Sequence, residues 1–255
     1  MVYYQKQGSG TCILLIHGFN ETHEIWNEFT SALSDKYCVI TIDLPGFGQS
    51  TELPQVTIDI LAHEIYQLLT SLKIAKAVVA GHSLGGYVAL SLAEQYPHLL
   101  QGLVLFHSTA YADTDEKKAN RNKANEFISK HGAEPFLKNF YPLLFADAHK
   151  DMYVNDMEKL YNIGIKTSAN VIINTNSAMR DRADKTHVLK NATFPILFIA
   201  GKNDNAVLYT HTVAQSIMPK ISCLFLIDNC GHMGMIEQKD MTLKMLRCFA
   251  DICFF

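Results

Sequence analysis

The chain has 255 residues, of which 48% are hydrophobic, and a formal net charge of −3 at pH 7. This length suits one large α/β domain better than two independent domains. Charges of both signs are spread along the chain, so no basic stripe indicates nucleic-acid binding, and no apolar run approaches the ~20 residues of a membrane span.

The amino-terminal residues and the cysteines indicate a reducing compartment. Residues 1–6 lack the positively charged segment and apolar core of a secretory signal. The six cysteines include no C-x-x-C pair and no cluster with zinc-ligand spacing. We therefore expect a cytoplasmic protein, a monomer or homodimer, with reduced thiols and no structural metal.

Strand and helix patterns alternate along the first 106 residues. The strand patterns cover residues 12–16, 38–42, 76–80 and 100–106, and the helix patterns cover residues 22–34, 57–72 and 84–96. This alternation predicts an α/β fold with a mainly parallel central sheet and helices on both faces.

The alternation stops after residue 108 and resumes after residue 191. Residues 109–191 contain no apolar strand of the core type and are rich in charge and helix formers. The later strand patterns cover residues 196–200 and 222–227, and the later helix patterns cover residues 206–217 and 236–252. We therefore predict one core, residues 1–108 and 192–255, interrupted by a helical insertion at residues 109–191.

The segment G-H-S-L-G-G at residues 81–86 lies between a strand pattern and a helix pattern. In this G-x-S-x-G context a serine adopts strained backbone angles, and neighbouring side chains would clash with the incoming helix. Gly81 and Gly85 remove those clashes, and the helix N-terminus directs partial positive charge at the serine. We predict Ser83 as a nucleophile, the alternative being a glycine-rich turn with a chance serine.

An aspartate and a histidine follow two later strands. Asp204 comes just after residues 196–200, and His232 comes just after residues 222–227. A serine hydroxyl near neutral pH needs a base, so we predict that His232 accepts its proton and that Asp204 orients the imidazole. Asp228 and Asp43 are the competing acids; we assign Asp228 to the loop that presents His232, and Asp43 to a turn motif.

These motifs together resemble the α/β-hydrolase superfamily, particularly its small esterases and enol-lactonase-like members. The resemblance covers nearly the whole chain, and it implies a helical cap inserted after the sixth strand, over the serine. The matching features are H-G-F at residues 17–19, Trp26, D-L-P-G-F-G-Q-S at residues 43–50, the serine elbow, Asp204, and G-H-M-G at residues 231–234.

The resemblance also implies the remaining parts of the site. The backbone N–H groups of Phe19 and Leu84 would hold the oxyanion. We predict that the substrate pocket is lined by His17, Gly18, His82, His107, Phe140 and Phe145. Two alternatives stay open. His17 fixes the loop that follows residues 12–16 and carries Phe19, here called the oxyanion loop. The aromatic residues of the insertion pack its own helices.

The predicted activity is that of a carboxylesterase-like serine hydrolase acting on a small ester or lactone through an acyl-enzyme. No cofactor is required, and the expected partner is a small-molecule ester or acyl substrate. One alternative is a cofactor-free carbon–carbon bond hydrolase or lyase of the same fold, which Arg180 or Arg182 facing the pocket would favour. Another is a ligand-binding or signalling protein with little turnover.

Overall fold

Seven strands form a single sheet in the computed structural model, which describes residues 1–254. In chain order they are β1 Tyr4–Gln7, β2 Cys12–Ile16, β3 Cys38–Ile42, β4 Ala77–His82, β5 Leu100–Phe106, β6 Ile196–Gly201 and β7 Ser222–Ile227. Their spatial order is β1-β3-β2-β4-β5-β6-β7. Only β1 pairs antiparallel, with β3, and all other pairs are parallel.

Eleven α-helices within residues 1–254 pack around or extend from this sheet. They are α1 Asn27–Leu33, α2 Ile58–Ser71, α3 Leu84–Gln95, α4 Asp115–His131, α5 Ala133–Phe140, α6 Val154–Gly164, α7 Ala169–Asp181, α8 Thr186–Asn191, α9 Tyr209–Ser216, α10 Gly234–Glu237 and α11 Lys239–Phe254. None of these helices is long and apolar enough to span a membrane.

The central strands are buried along their whole length. Every residue of β2, β3, β4 and β6 is buried. Such continuous apolar strands are typical of a parallel sheet covered on both faces, because neither face meets water. The predicted mainly parallel sheet is therefore confirmed, and the carboxyl ends of its parallel strands lie along one edge.

The first strand was not predicted from the sequence. All four residues of β1 are exposed, and their sequence Y-Q-K-Q has no apolar alternation. Because β1 is an edge strand, hydrogen bonds to β3 stabilise it without burial of a side-chain face.

The helical segment is inserted after β5, the fifth strand in chain order, whereas the resemblance predicts the sixth. Only the short β1 precedes β2, and it ends just before Gly8, whose φ of 76° is outside the range of a strand. The inserted segment, residues 109–191, contains α4 to α8 and no strand. Its Tyr141 hydroxyl donates to the carbonyl oxygen of Asn20 at 2.7 Å, so it packs directly on the loop that follows β2.

Candidate active site

Ser83 occupies the turn between β4 and α3. Its φ of 49° and ψ of −111° form a strained conformation that costs about 1–3 kcal/mol in a non-glycine residue. The Ser83 N–H donates to the Phe106 carbonyl at 3.0 Å, and the Ser108 hydroxyl donates to the Ser83 carbonyl at 2.7 Å. A Cβ on Gly81 would lie 2.2 Å from the Gly85 carbonyl carbon. The strained turn therefore requires glycine beside it and hydrogen bonds on both sides.

His232 and Asp204 form a buried pair beside this turn. Nδ1 of His232 lies 2.7 Å from Oδ2 of Asp204, and the His232 ring lies 4.9 Å, centroid to centroid, from the ring of His82. The Ser83 hydroxyl has no hydrogen-bond partner among residues 1–254. Catalytic hydrogen bonds in ligand-free enzymes are often long and tighten only when substrate binds.

Burial and charge act in opposite directions on this pair. Burial alone would raise the pKa of the Asp204 carboxyl, but the His232 charge and hydrogen bonds from His107 and His232 outweigh it and hold that pKa below its usual range. Burial alone would lower the pKa of His232, but the Asp204 charge and hydrogen bond outweigh it, so the His232 pKa is raised above 6.5. The arrangement favours an ionised Asp204 and a basic His232.

A second histidine contacts the same carboxylate. Nδ1 of His107 lies 3.2 Å from Oδ2 of Asp204, and the His107 side chain is fully buried. Burial lowers the pKa of His107 to about 4 despite the carboxylate beside it. His107 is therefore neutral at physiological pH, whereas the same carboxylate raises the pKa of His232.

His107, Asp204 and His232 also form the one group of potential metal ligands among residues 1–254, with ligand atoms within 4.8 Å of one another. Nδ1 of each histidine is already directed at the same carboxylate oxygen. A metal ion here would have to replace the His232–Asp204 hydrogen bond. These contacts favour a hydrogen-bonded group over a metal centre.

The two predicted oxyanion donors lie at the start of α3 and in the loop after β2, which pack against each other at Gly85 and His17. Leu84 is the first residue of α3, and Phe19 lies in the loop after β2. Neither backbone N–H donates a hydrogen bond within residues 1–254. Both groups retain the hydrogen-bonding capacity that an oxyanion site requires.

His17 and His82, two further predicted pocket residues, make hydrogen bonds within the protein. Nε2 of His17 accepts from the Leu44 N–H at 2.9 Å, and its Nδ1 lies 2.7 Å from the Gly18 carbonyl. His82 contacts Glu21 through Nδ1 at 3.0 Å. Both side chains are buried, and these contacts favour the alternative in which His17 fixes the oxyanion loop.

The two predicted pocket phenylalanines differ in their surroundings. Phe140 is half-buried and makes an edge-to-face contact with Phe19, with ring centroids 5.8 Å apart. Phe145 is buried and stacks on Tyr153 at 5.4 Å. Phe140 therefore lies closer to the oxyanion loop, and the pocket role of both residues stays a prediction.

Asp43 and Asp228, the two acids that compete with Asp204, have other partners than His232. Asp43 is buried, and its carboxylate accepts from the backbone N–H groups of His23 and Gln49 at 2.8 and 2.9 Å, within the predicted turn motif. Asp228 is exposed and pairs with Lys202 at 2.7 Å. Of the three acids, Asp204 is the one that contacts His232.

Two buried glutamates were not singled out in the sequence. Glu21 accepts from the Gly18 N–H at 2.6 Å. Glu237 accepts from the N–H groups of Gly231 and Met233, which lie on the histidine loop, residues 228–233 between β7 and α10. It also accepts from the Ala146 N–H of the inserted segment at 2.9 Å. A lone glutamate is usually exposed, so sequence alone provides no signal beyond its proximity to the H-G-F and G-H-M-G motifs.

The fold and the site define this chain as a member of a known family. The model of the alpha/beta hydrolase fold family matches residues 11–239. The chain therefore belongs to the alpha/beta hydrolase fold family.

Individual relatives span nearly the whole chain. The 2-(acetamidomethylene)succinate hydrolase of Mesorhizobium japonicum is 24% identical, over 97% of this chain and 90% of the relative. The 3-oxoadipate enol-lactonase 1 of Acinetobacter baylyi is 26% identical, over 93% of this chain and 87% of the relative. The solved structure of a thermophilic esterase from Thermogutta terrifontis, with malate bound, has a TM-score of 0.94 and 26% identity, covering 100% of this chain and 94% of that one. These similarities support a hydrolase activity.

Proposed function

We propose that this protein is a serine hydrolase that cleaves a small carboxylic ester or lactone through an acyl-enzyme. The observation that carries the proposal is the 2.7 Å contact between His232 and Asp204 beside the strained Ser83 turn. A nucleophile, a base and an orienting carboxylate in this arrangement are what acyl transfer requires. The esterase and enol-lactonase relatives support the same chemistry.

The first half-reaction transfers the acyl group to Ser83. Nε2 of His232 takes the hydroxyl proton as Ser83 Oγ bonds to the carbonyl carbon, and Asp204 stabilises the imidazolium through Nδ1. The oxyanion accepts hydrogen bonds from the N–H groups of Phe19 and Leu84. When the carbon–oxygen bond to the leaving group breaks, the imidazolium returns its proton to the departing alkoxide.

The second half-reaction repeats these steps with water. Water gives its proton to Nε2 of His232 and attacks the acyl carbon, again forming an oxyanion at the Phe19 and Leu84 N–H groups. The bond to Ser83 Oγ breaks, Ser83 regains its proton from His232, and the carboxylic acid leaves. The inserted segment, which contacts the loop of Asn20 through Tyr141, acts as the cap that selects the acyl group.

The two late arginines favour the ester hydrolase over the carbon–carbon bond hydrolase. Arg182 lies 2.7 Å from Asp113 and stacks on the Tyr87 ring at 3.9 Å. Arg180 binds Asp181 through two hydrogen bonds, at 2.8 and 2.6 Å. Both guanidinium groups are paired with protein carboxylates, which argues against a role for either in binding a substrate carboxylate.

The test is hydrolysis of chromogenic esters of increasing acyl length by the wild type, Ser83→Ala and the control Ser71→Ala, whose serine is exposed on α2. We expect the Ser83 variant to lose at least about 10³-fold in kcat and the Ser71 variant to match the wild type. An equal rate in the Ser83 variant would contradict the proposal. Absence of turnover by folded wild type would favour the carbon–carbon hydrolase or ligand-binding alternatives.

A further inference from the structure

His82, the variable residue of the G-x-S-x-G motif, contacts two separate loops. Its Nδ1 lies 3.0 Å from Oε2 of Glu21, in the loop after β2. Its Nε2 lies 3.0 Å from the backbone carbonyl oxygen of His232, in the loop after β7. The His82 and Glu21 side chains are both 1% exposed, so water does not compete for these contacts.

Both partners of the His82 ring are hydrogen-bond acceptors. A backbone carbonyl oxygen has no proton to donate, so Nε2 must carry one. The same Glu21 oxygen also accepts from the Gly18 N–H, at 2.6 Å, as a carboxylate does. Glu21 therefore acts as an acceptor toward His82 as well, and Nδ1 carries the proton of that hydrogen bond. Only the imidazolium form has protons on both nitrogens.

We propose that His82 is an imidazolium, ion-paired with Glu21, that ties the oxyanion loop to the loop presenting His232. The connection runs from the Gly18 N–H through Glu21 and His82 to the His232 carbonyl. His82 is thus a positioning residue for two parts of the site, and its effect on catalysis rests on the proposed function.

The charge has a second consequence for His232. The rings of His82 and His232 are 4.9 Å apart, and a cation at that distance opposes protonation of the catalytic base. The other groups that act on His232 are Asp204, Glu21 and Glu237, which favour its charged form, and the neutral His107, whose ring lies 5.8 Å away. Removal of the His82 charge should therefore raise the pKa of His232.

The direct test is NMR of the wild type labelled with ¹⁵N-histidine, with the His82 signals assigned by their loss in His82→Gln. We expect protons on both ring nitrogens of His82 at pH 7. A neutral ring at pH 7, with one nitrogen unprotonated, would overturn the proposal. This readout needs no substrate, so it is independent of the ester-hydrolase proposal. If His82→Gln does not fold, the His82 ring signals are assigned in the wild type by through-bond correlation to its backbone.

Kinetics of His82→Gln provide the second readout, with His98→Gln at an exposed site as the matched control. We expect kcat for the ester to fall at least about tenfold with little change in KM, because both loops loosen while the substrate pocket remains. The acidic limb of the pH profile should move at least about half a unit to higher pH. A limb that stays in place would contradict a charged His82.

The pairing itself is tested with Glu21→Gln and the double variant Glu21→Gln/His82→Gln. The single glutamate variant leaves a buried imidazolium without its carboxylate, whereas the double variant leaves neither charge. We expect a higher melting temperature for the double variant than for Glu21→Gln alone. A double variant as destabilised as the sum of both single changes would overturn the ion pair.

Discussion

Asp204 accepts hydrogen bonds on both of its carboxylate oxygens. Oδ1 accepts from the N–H groups of Ala206 and Val207 at 2.8 and 2.9 Å, while Oδ2 lies 2.7 Å from His232. Backbone donors that hold one oxygen fix the direction of the other. The Asp204 side chain is therefore held in one orientation, with Oδ2 directed at His232, as its proposed role requires.

Because the buried His107 beside Asp204 is neutral, we expect the free energy of unfolding to fall as the pH is lowered. The His107 pKa is about 4 in the native state and about 6.5 in the unfolded chain. Between these values the unfolded chain binds more protons, so stability falls as the pH is lowered. From pH 7 to 5 this histidine alone should cost about 2 kcal/mol.

Urea unfolding at pH 7 and pH 5 measures this cost. His107→Gln should lose less stability between the two pH values than the wild type, by about 2 kcal/mol. His63→Gln, at an exposed position on α2, serves as the control and should behave like the wild type. An equal loss in His107→Gln and wild type would show that His107 is not held neutral.

The catalytic candidates were predictable residue by residue, but their supporting contacts were not. Ser83, Asp204 and His232 lie one, three and five residues after the ends of β4, β6 and β7, and such positions meet at one edge of a parallel sheet. Glu21 and Glu237 carry no comparable pattern, because their burial depends on backbone N–H groups that loops bring to them only in the folded chain.

Helix α10 holds the histidine loop through Glu237. The carboxylate accepts from the N–H groups of Gly231 and Met233 at 3.0 and 3.1 Å, and from Ala146 at 2.9 Å. The His232 N–H in turn donates to the Leu144 carbonyl at 2.6 Å. The inserted segment and the histidine loop are therefore joined by hydrogen bonds in both directions.

Glu237→Gln should weaken this junction, because the amide replaces one acceptor oxygen with a donor that faces backbone N–H groups. We expect the free energy of unfolding to fall by about 1–3 kcal/mol and kcat to fall with it. Urea unfolding and ester kinetics measure both. The exposed Glu158→Gln on α6 is the control, and a Glu237 variant indistinguishable from it would contradict this account.

The predicted boundaries of strands and helices match the structure best where the residues are continuously buried. The strand predicted at residues 12–16 matches β2, because five consecutive apolar residues are typical of a strand covered on both faces. The helix predicted at residues 236–252 is instead divided into α10 and α11 at Gln238, whose φ of −139° and ψ of 47° are not helical. Glu237, the residue before that break, accepts hydrogen bonds from Gly231, Met233 and Ala146, contacts that local periodicity does not predict.

The inserted segment contacts both the oxyanion loop and the histidine loop. Phe140 meets Phe19 in the oxyanion loop and stacks on Phe136 at 5.4 Å, and Leu144 meets His232. The sequence predicts the helices of this segment but not these contacts, because docking depends on surfaces separated by many residues along the chain. The choice of substrate therefore lies beyond what local patterns indicate.

Phe140→Ala tests whether the inserted segment sets the acyl length. Removal of the ring beside Phe19 should enlarge the acyl site, so kcat/KM for longer esters relative to short ones should rise by about tenfold. Phe127→Ala, on the outer surface of α4, is the matched control. If both variants keep the wild-type ratio, Phe140 does not limit the acyl group.

Covalent labelling tests whether Ser83 is an activated nucleophile. The wild type, Ser83→Ala and Asp204→Asn are treated with a fluorophosphonate, and the adducts are located by peptide mass spectrometry. We expect one adduct in the wild type, on Ser83, no adduct in Ser83→Ala and much slower labelling of Asp204→Asn. A wild type that stays unlabelled, or that is labelled at another residue, would contradict this expectation.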